Sequence, residues 1–210
     1  GGKAAGKEST LCILTCSYSG TVRDAILRLH ASGRKVRVIV AESRPLCEGA
    51  RLGYELAELG IAVEIITDAQ VALFAGEADV ALVGADGISA EYLVNKAGTH
   101  ALSAFAKERG VPVLAAAVTW KVTGTEGTGI LEEKDAREVT KAYSSLDPSP
   151  AAAATARVRN VYFERVPLGA MTAVITEQPD QLGSADIRRI AAGRRAQFQK
   201  LFYHDYTNSS

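Results

Sequence analysis

Five short apolar runs, residues 11–14, 36–41, 62–66, 80–83 and 113–118, constrain this chain more than any other feature. They are rich in Val, Ile and Leu and do not alternate with polar residues, so both faces of each strand must be buried, as in a parallel sheet. Helical periodicity fills most of the intervals. Val22, Ile26 and Leu29 fall at i, i+4, i+7, and so do Leu52, Leu56 and Leu59, each set making one apolar stripe that can pack on a sheet. Gly33, Gly60 and Gly110 follow such stripes, where a left-handed C-terminal cap favours a residue without Cβ. Strand and helix alternating in this way predict right-handed crossovers and one α/β domain with a doubly wound, mostly parallel, Rossmann-like sheet.

The expected domain runs from 11 to 206, and residues 1–10 read as a linker or a cut edge. Between about 119 and 150 the pattern dissolves into Gly, Thr, Ser, Asp and Pro around a charged segment, 131–143, with room for a short helix. A loop of that length inside a compact domain tends to be functional. Residues 160–164 and 173–176 read as late strands. Ser184 is expected to cap a final helix to about 203, with Ile187, Ile190, Phe198, Leu201 and Phe202 as its apolar contacts.

Length and charge remove several function classes. The 210 residues carry 24 Lys+Arg against 24 Asp+Glu, which argues against bulk attraction to nucleic acid or an anionic membrane. No apolar run approaches the roughly 20 residues of a bilayer span. Three cysteines, Cys12, Cys16 and Cys47, are too few for a disulfide framework, and a cytoplasmic setting is the default expectation. The scattered His30, His100 and His204 suggest no metal cluster, and no metal or cofactor is expected.

Ligands of open α/β sheets bind beyond the carboxyl ends of the strands. Four polar turns lie at such places. Thr15-Cys16-Ser17-Tyr18-Ser19-Gly20-Thr21 follows the first strand and offers hydroxyls, a glycine and free N–H groups at a helix start, although Ser19 or Thr21 could serve merely as a cap. Glu42-Ser43-Arg44-Pro45 follows the second and supplies a guanidinium fork for phosphate. Gly84-Ala85-Asp86-Gly87 sets a carboxylate between glycines. Asn95-Lys96-Ala97-Gly98-Thr99 is expected to open a helix with an amide and an ammonium. Singly, each has an ordinary structural use.

In order along the chain, T-C-S-Y-S-G-T-V, A-E-S-R-P-L-C-E-G, L-V-G-A-D-G-I and N-K-A-G-T-H, with the later V-R-N-V-Y-F-E-R-V-P and A-V-I-T-E, resemble the domain shared by the α, β and δ subunits of translation initiation factor 2B and two sugar-phosphate isomerases. Those isomerases act on methylthioribose 1-phosphate and ribose 1,5-bisphosphate. The resemblance implies a phosphorylated sugar or nucleotide as ligand, held by Ser17, Ser19, Gly20, Arg44, Asp86, Asn95 and Lys96. It also implies pairing, as a homodimer or with paralogous subunits.

For the isomerases it implies a cysteine and an aspartate moving protons between neighbouring carbons of an opened aldose, which needs an acid and a base in reach of adjacent atoms. Asp86 falls at the family aspartate. Where the isomerases read T-H-C-N, this chain reads Thr15-Cys16-Ser17-Tyr18, with Ser17 at the cysteine position and Cys16 at the histidine. A catalytic set would therefore be Asp86 with Cys16 or Ser17. The loop is closer to those of the initiation-factor subunits, which implies a regulatory domain of a nucleotide-exchange assembly. The isomerase and a scaffold without ligand stand as alternatives. Full members carry a helical N-terminal domain that closes over the ligand, so this chain is expected to be a fragment or a stand-alone domain with a more open pocket.

Overall fold

The computed structural model of the chain describes residues 9–123 and 132–203. Its main sheet has six parallel strands: β1 (Leu11–Cys16), β2 (Val36–Ala41), β3 (Ala62–Ile66), β4 (Val80–Gly84), β7 (Val113–Ala116) and β9 (Ala173–Ile175), in the order β3-β2-β1-β4-β7-β9. The chain first winds outward from β1 to β3 and then returns to place β4 on the other side of β1. The carboxyl ends of β1 and β4 therefore flank the point where the winding reverses, which is where an open α/β sheet offers a crevice.

Period-two side-chain alternation sorts the strands onto two cores. Ile13, Val36, Val38, Val40 and Leu82 pack with Val22 and Ile26 of α1 (Gly20–Ala31) and with Leu52 and Leu56 of α2 (Glu48–Glu58). On the other face Cys12, Leu14, Cys16, Ile39, Val83 and Ala115 meet Val71 of α3 (Val71–Phe74), Leu102 and Ala106 of α4 (Thr99–Glu108), and Ile187 of α7 (Ser184–Tyr203). The expected stripes are thus the buried ones, apart from Leu29 and Leu59, which stay partly exposed at the helix ends. Gly33, Gly60 and Gly110 have φ of +87°, +84° and +74°, the left-handed caps that their places required.

Several elements differ from the sequence expectation. β1 runs to Cys16, in register with Ala41 of β2, so Cys16 is a strand residue and not a loop residue. Asn95 and Lys96 end a strand, β6 (Tyr92–Lys96), and the helix expected to start there begins only at Thr99. β6 pairs antiparallel with β5 (Gly87–Ile88) and β8 (Phe163–Pro167), making a second sheet that lies over the α4 face. The strand expected at 160–164 is shifted toward the C-terminus by that pairing, which sets Asn95 opposite Glu164 and Lys96 opposite Phe163.

Within the long segment, α5 (Ala136–Thr140) is the short helix expected there. A further helix, α6 (Pro150–Thr155), is capped by Ser149, whose side chain accepts from the Ala152 N–H at 3.2 Å. The Ser-Pro start of the alanine run is an ordinary helix signal that composition alone conceals. The contacts expected of Phe198, Leu201 and Phe202 lie outside the described side chains. No helix among the described residues is long and apolar enough to cross a membrane.

Candidate functional site

A cavity of about 340 Å³ opens at the β1/β4 junction. Cys16 at the end of β1 and the turn after it, Ser17, Tyr18, Ser19, Gly20 and Thr21, line it; Ala85 and Asp86 join just beyond the end of β4. The second sheet adds Asn95, Lys96 and Phe163, and Glu48 and Lys121 complete the wall. The fold thus gathers three of the four turns read from sequence. Arg44 lies elsewhere: it is exposed, its Nε is 3.5 Å from Glu42 Oε1, and it borders a neighbouring hollow with Tyr143 and Arg159.

The turn after β1 is held in an uncommon shape. Ser17 has φ +62° and Ser43, in the turn after β2, has φ +61°, a region that costs a non-glycine residue about 1–2 kcal/mol. A small network offsets that cost. The Ser17 N–H donates to Ser43 Oγ at 2.6 Å, and the N–H groups of Ser43 and Arg44 both donate to the Asp68 carboxylate at 2.8 Å. Ser19 does what a helix start asks, accepting from the Val22 N–H at 3.4 Å as the N-cap of α1. It also explains Gly84. A Cβ on Gly84 would stand 2.7 Å from both Cβ and Oγ of Ser19, so β4 can pass this close to the turn only without a side chain.

Cys16 points away from chemistry. Its residue is 5% exposed, its Sγ lies 3.6 Å from Thr99 Oγ1, and burial pushes its thiol up to about 11. Thr99 is also the partner of Asn95, whose Nδ2 donates to Thr99 Oγ1 at 3.0 Å. One buried hydroxyl thereby fixes both the thiol and the amide under the cavity.

The charged groups sit in two pairs. Lys96 is 3% exposed; its Nζ donates to Glu48 Oε1 at 2.8 Å and lies 4.3 Å from the ring centre of Tyr162. Glu48 was not among the residues singled out by sequence, where it reads as an ordinary first-turn acid of α2. Asp86 stands at the open side with Lys121, whose Nζ donates to the Ala85 carbonyl at 2.6 Å. Partial burial raises the Asp86 carboxyl above its usual value, against the opposing pull of Lys121. Lys121 and Phe163 were also missed, since only the second sheet and the turn of 119–121 bring them here. The exposed Trp120 in that turn does not line the cavity. Among the described residues no cluster of three or more His, Cys, Asp or Glu could hold a metal ion.

Comparison with known proteins places the chain in a defined group. The sequence profile of the Initiation factor 2 subunit family matches residues 6–178. Ribose 1,5-bisphosphate isomerase of Archaeoglobus fulgidus is 36% identical over 79% of this chain and 52% of its own length. The crystal structure of translation initiation factor eIF-2B from Pyrococcus horikoshii superposes with a TM-score of 0.68 at 37% identity, over 81% of this chain and 57% of that one. That of 5-methylthioribose 1-phosphate isomerase from the same organism gives 0.74 at 26% identity, over 89% and 55%. The chain spans about half the length of the curated relatives it matches.

Proposed function

The chain belongs to the Initiation factor 2 subunit family, and on that premise we propose that its β1/β4 cavity binds a phosphorylated sugar or nucleotide and serves regulation rather than turnover. One observation carries this reading: the thiol nearest the cavity, on Cys16, is sealed against Thr99 and stays protonated at neutral pH. The neighbouring position, held by a reactive cysteine in the isomerases, carries Ser17 here. Proton transfer between adjacent carbons needs an acid–base pair whose pKa values lie near the working pH. Asp86 alone supplies half of such a pair.

The binding side of the proposal rests on the rim. N–H groups of Ser19, Gly20 and Thr21 lie at the positive end of α1, where four amides lack helical acceptors and anions are favoured. Asn95 and Lys96 bring an amide and an ammonium to the same space. The relative that isomerises ribose 1,5-bisphosphate makes a ribose phosphate the first ligand to try. Pairing with a second copy or a paralogous subunit, in the cytoplasm, belongs to the same proposal.

Isomerisation has one observation in its favour, the raised carboxyl of Asp86, which suits a group that must exchange protons. A turnover assay separates the readings. With ribose 1,5-bisphosphate or methylthioribose 1-phosphate in excess, the regulatory reading expects no ketose from the wild-type protein. Ketose that disappears in Asp86→Asn would establish the enzyme instead.

A further inference from the structure

Away from the β1/β4 junction, a second cavity of about 280 Å³ lies between α7 and the turn that joins β5 to β6; the two cavities share no lining residue. Arg188, Ala191, Ala192 and Arg195 line it from α7 at i, i+3, i+4 and i+7, one face of a helix. Two short side chains between two long cationic ones make a notch with positive shoulders. From the turn come Ser89, Ala90, Glu91 and Tyr92. The turn is closed on itself: Ser89 Oγ donates to the Tyr92 carbonyl at 2.9 Å and accepts from the N–H groups of Glu91 and Tyr92 at 3.3 and 3.1 Å. Arg188 Nε ties α7 to it by donating to the Ala90 carbonyl at 3.4 Å. Tyr92 is left with an unmet need. It is 9% exposed, its ring lies 4.6 Å from the Arg165 guanidinium, and its hydroxyl is closed off from solvent with no hydrogen-bond partner. A buried hydroxyl without an acceptor is costly, because it has lost water and gained nothing.

We infer that this notch is a second binding site, which takes a small molecule carrying a phosphate or carboxylate group, with Tyr92 donating to an oxygen of that group and Arg188 and Arg195 flanking it. The chemistry selects the class. An orphan phenol is satisfied by an acceptor, and a charged oxygen makes the stronger bond. Two guanidinium groups against the single carboxylate of Glu91 favour an anion, and a guanidinium fork matches the oxygens of phosphate and carboxylate alike. Ala90, Ala191 and Ala192 leave the rest of the lining apolar, which suits the carbon part of a ligand. Small-molecule pockets run from roughly 300 to 1,000 Å³, so a cavity of about 280 Å³ takes a compact metabolite and not a dinucleotide.

Amide correlation spectra of the labelled full chain, recorded at constant ionic strength while inorganic phosphate or acetate is added, test the site. The wild type is expected to show saturable shifts at Ser89 to Tyr92 and at Ala191 to Ala196, and the anion that binds more tightly identifies the group. Tyr92→Phe removes the hydroxyl alone and is expected to weaken that binding by about tenfold. Without ligand the same variant should melt no lower than the wild type, since it sheds an unpaired polar group; a clear fall in its melting temperature would mean that the hydroxyl is already bonded within the fold and would overturn the inference. Equal affinity in Tyr92→Phe and the wild type overturns it as well. Shifts at neither segment with either anion overturn it without any variant. Shifts confined to Tyr18 to Thr21 do the same, and leave the function proposed for the β1/β4 cavity standing.

Discussion

Two neighbouring residues show how narrow the margin is between a reactive site and an inert one. Cys16 and Ser17 are adjacent at the edge of the cavity, yet one ends a strand with its thiol in the core against Thr99, while the other sits at φ +62° in the turn. A thiol pushed up to about 11 is thiolate to only about one part in a thousand at pH 8. Cys16 is therefore expected to resist a short pulse of alkylating reagent at that pH while the half-buried Cys47 is modified, as mass spectrometry of the peptides would show. Modification of Cys16 ahead of Cys47 would mean that the thiol is open to the cavity. Gly84 gives a second residue-level expectation. Its missing Cβ makes room for Ser19, so Gly84→Ala should cost about 1–3 kcal/mol in urea unfolding, as overpacking of a close contact does. The sequence made the displaced cysteine legible, but not its burial. Register with Ala41 carries β1 two residues past its last branched apolar residue, and only that pairing seals the thiol.

The elements that the sequence announced are those whose stability comes from continuous burial. All five apolar runs are strands of the parallel sheet, and the two amphipathic stripes are α1 and α2. What escaped was the second sheet, because β5 has two residues and β6 ends in Asn95 and Lys96, polar groups buried on account of their partners and not of their type. That sheet also ties the long segment to the cavity. The Tyr162 hydroxyl donates to Glu138 of α5, the Asn160 amide donates to the same carboxylate oxygen at 2.8 Å, and the Tyr162 ring faces Lys96 Nζ. Burial, then the bond to Glu138, pushes the phenol up to about 12. A phenol whose pKa is higher folded than unfolded stabilises the fold fully below pH 10, and the contribution is lost as pH rises toward 12. Amide exchange across Ala136–Thr140 should therefore quicken over that range, and Tyr162→Phe should show the quickening already at pH 8. Equal protection of α5 in the variant and the wild type would sever the proposed tie.

For the molecule as a whole, the reversal of winding between β1 and β4 decides where function can reside, and the sequence reached that point through four turns of which the fold joins three. Arg44 stayed outside: its neighbour Ser43 touches the cavity turn at the Ser17 N–H, while Arg44 itself borders the hollow with Tyr143 and Arg159, a divergence invisible in the linear motif. The proposed pairing predicts that light scattering at micromolar concentration gives twice the chain mass, and a monomeric mass would contradict pairing through this chain alone. The central claim is that the β1/β4 cavity takes a ribose phosphate and returns it unchanged. It is tested most directly by recording amide correlation spectra of the labelled protein while ribose 1,5-bisphosphate is added. The account predicts saturable shifts at Tyr18 to Thr21, Asp86 and Asn95 with the sugar signals constant in kind; shifts confined to other surfaces, or ketose signals growing with time, would contradict it.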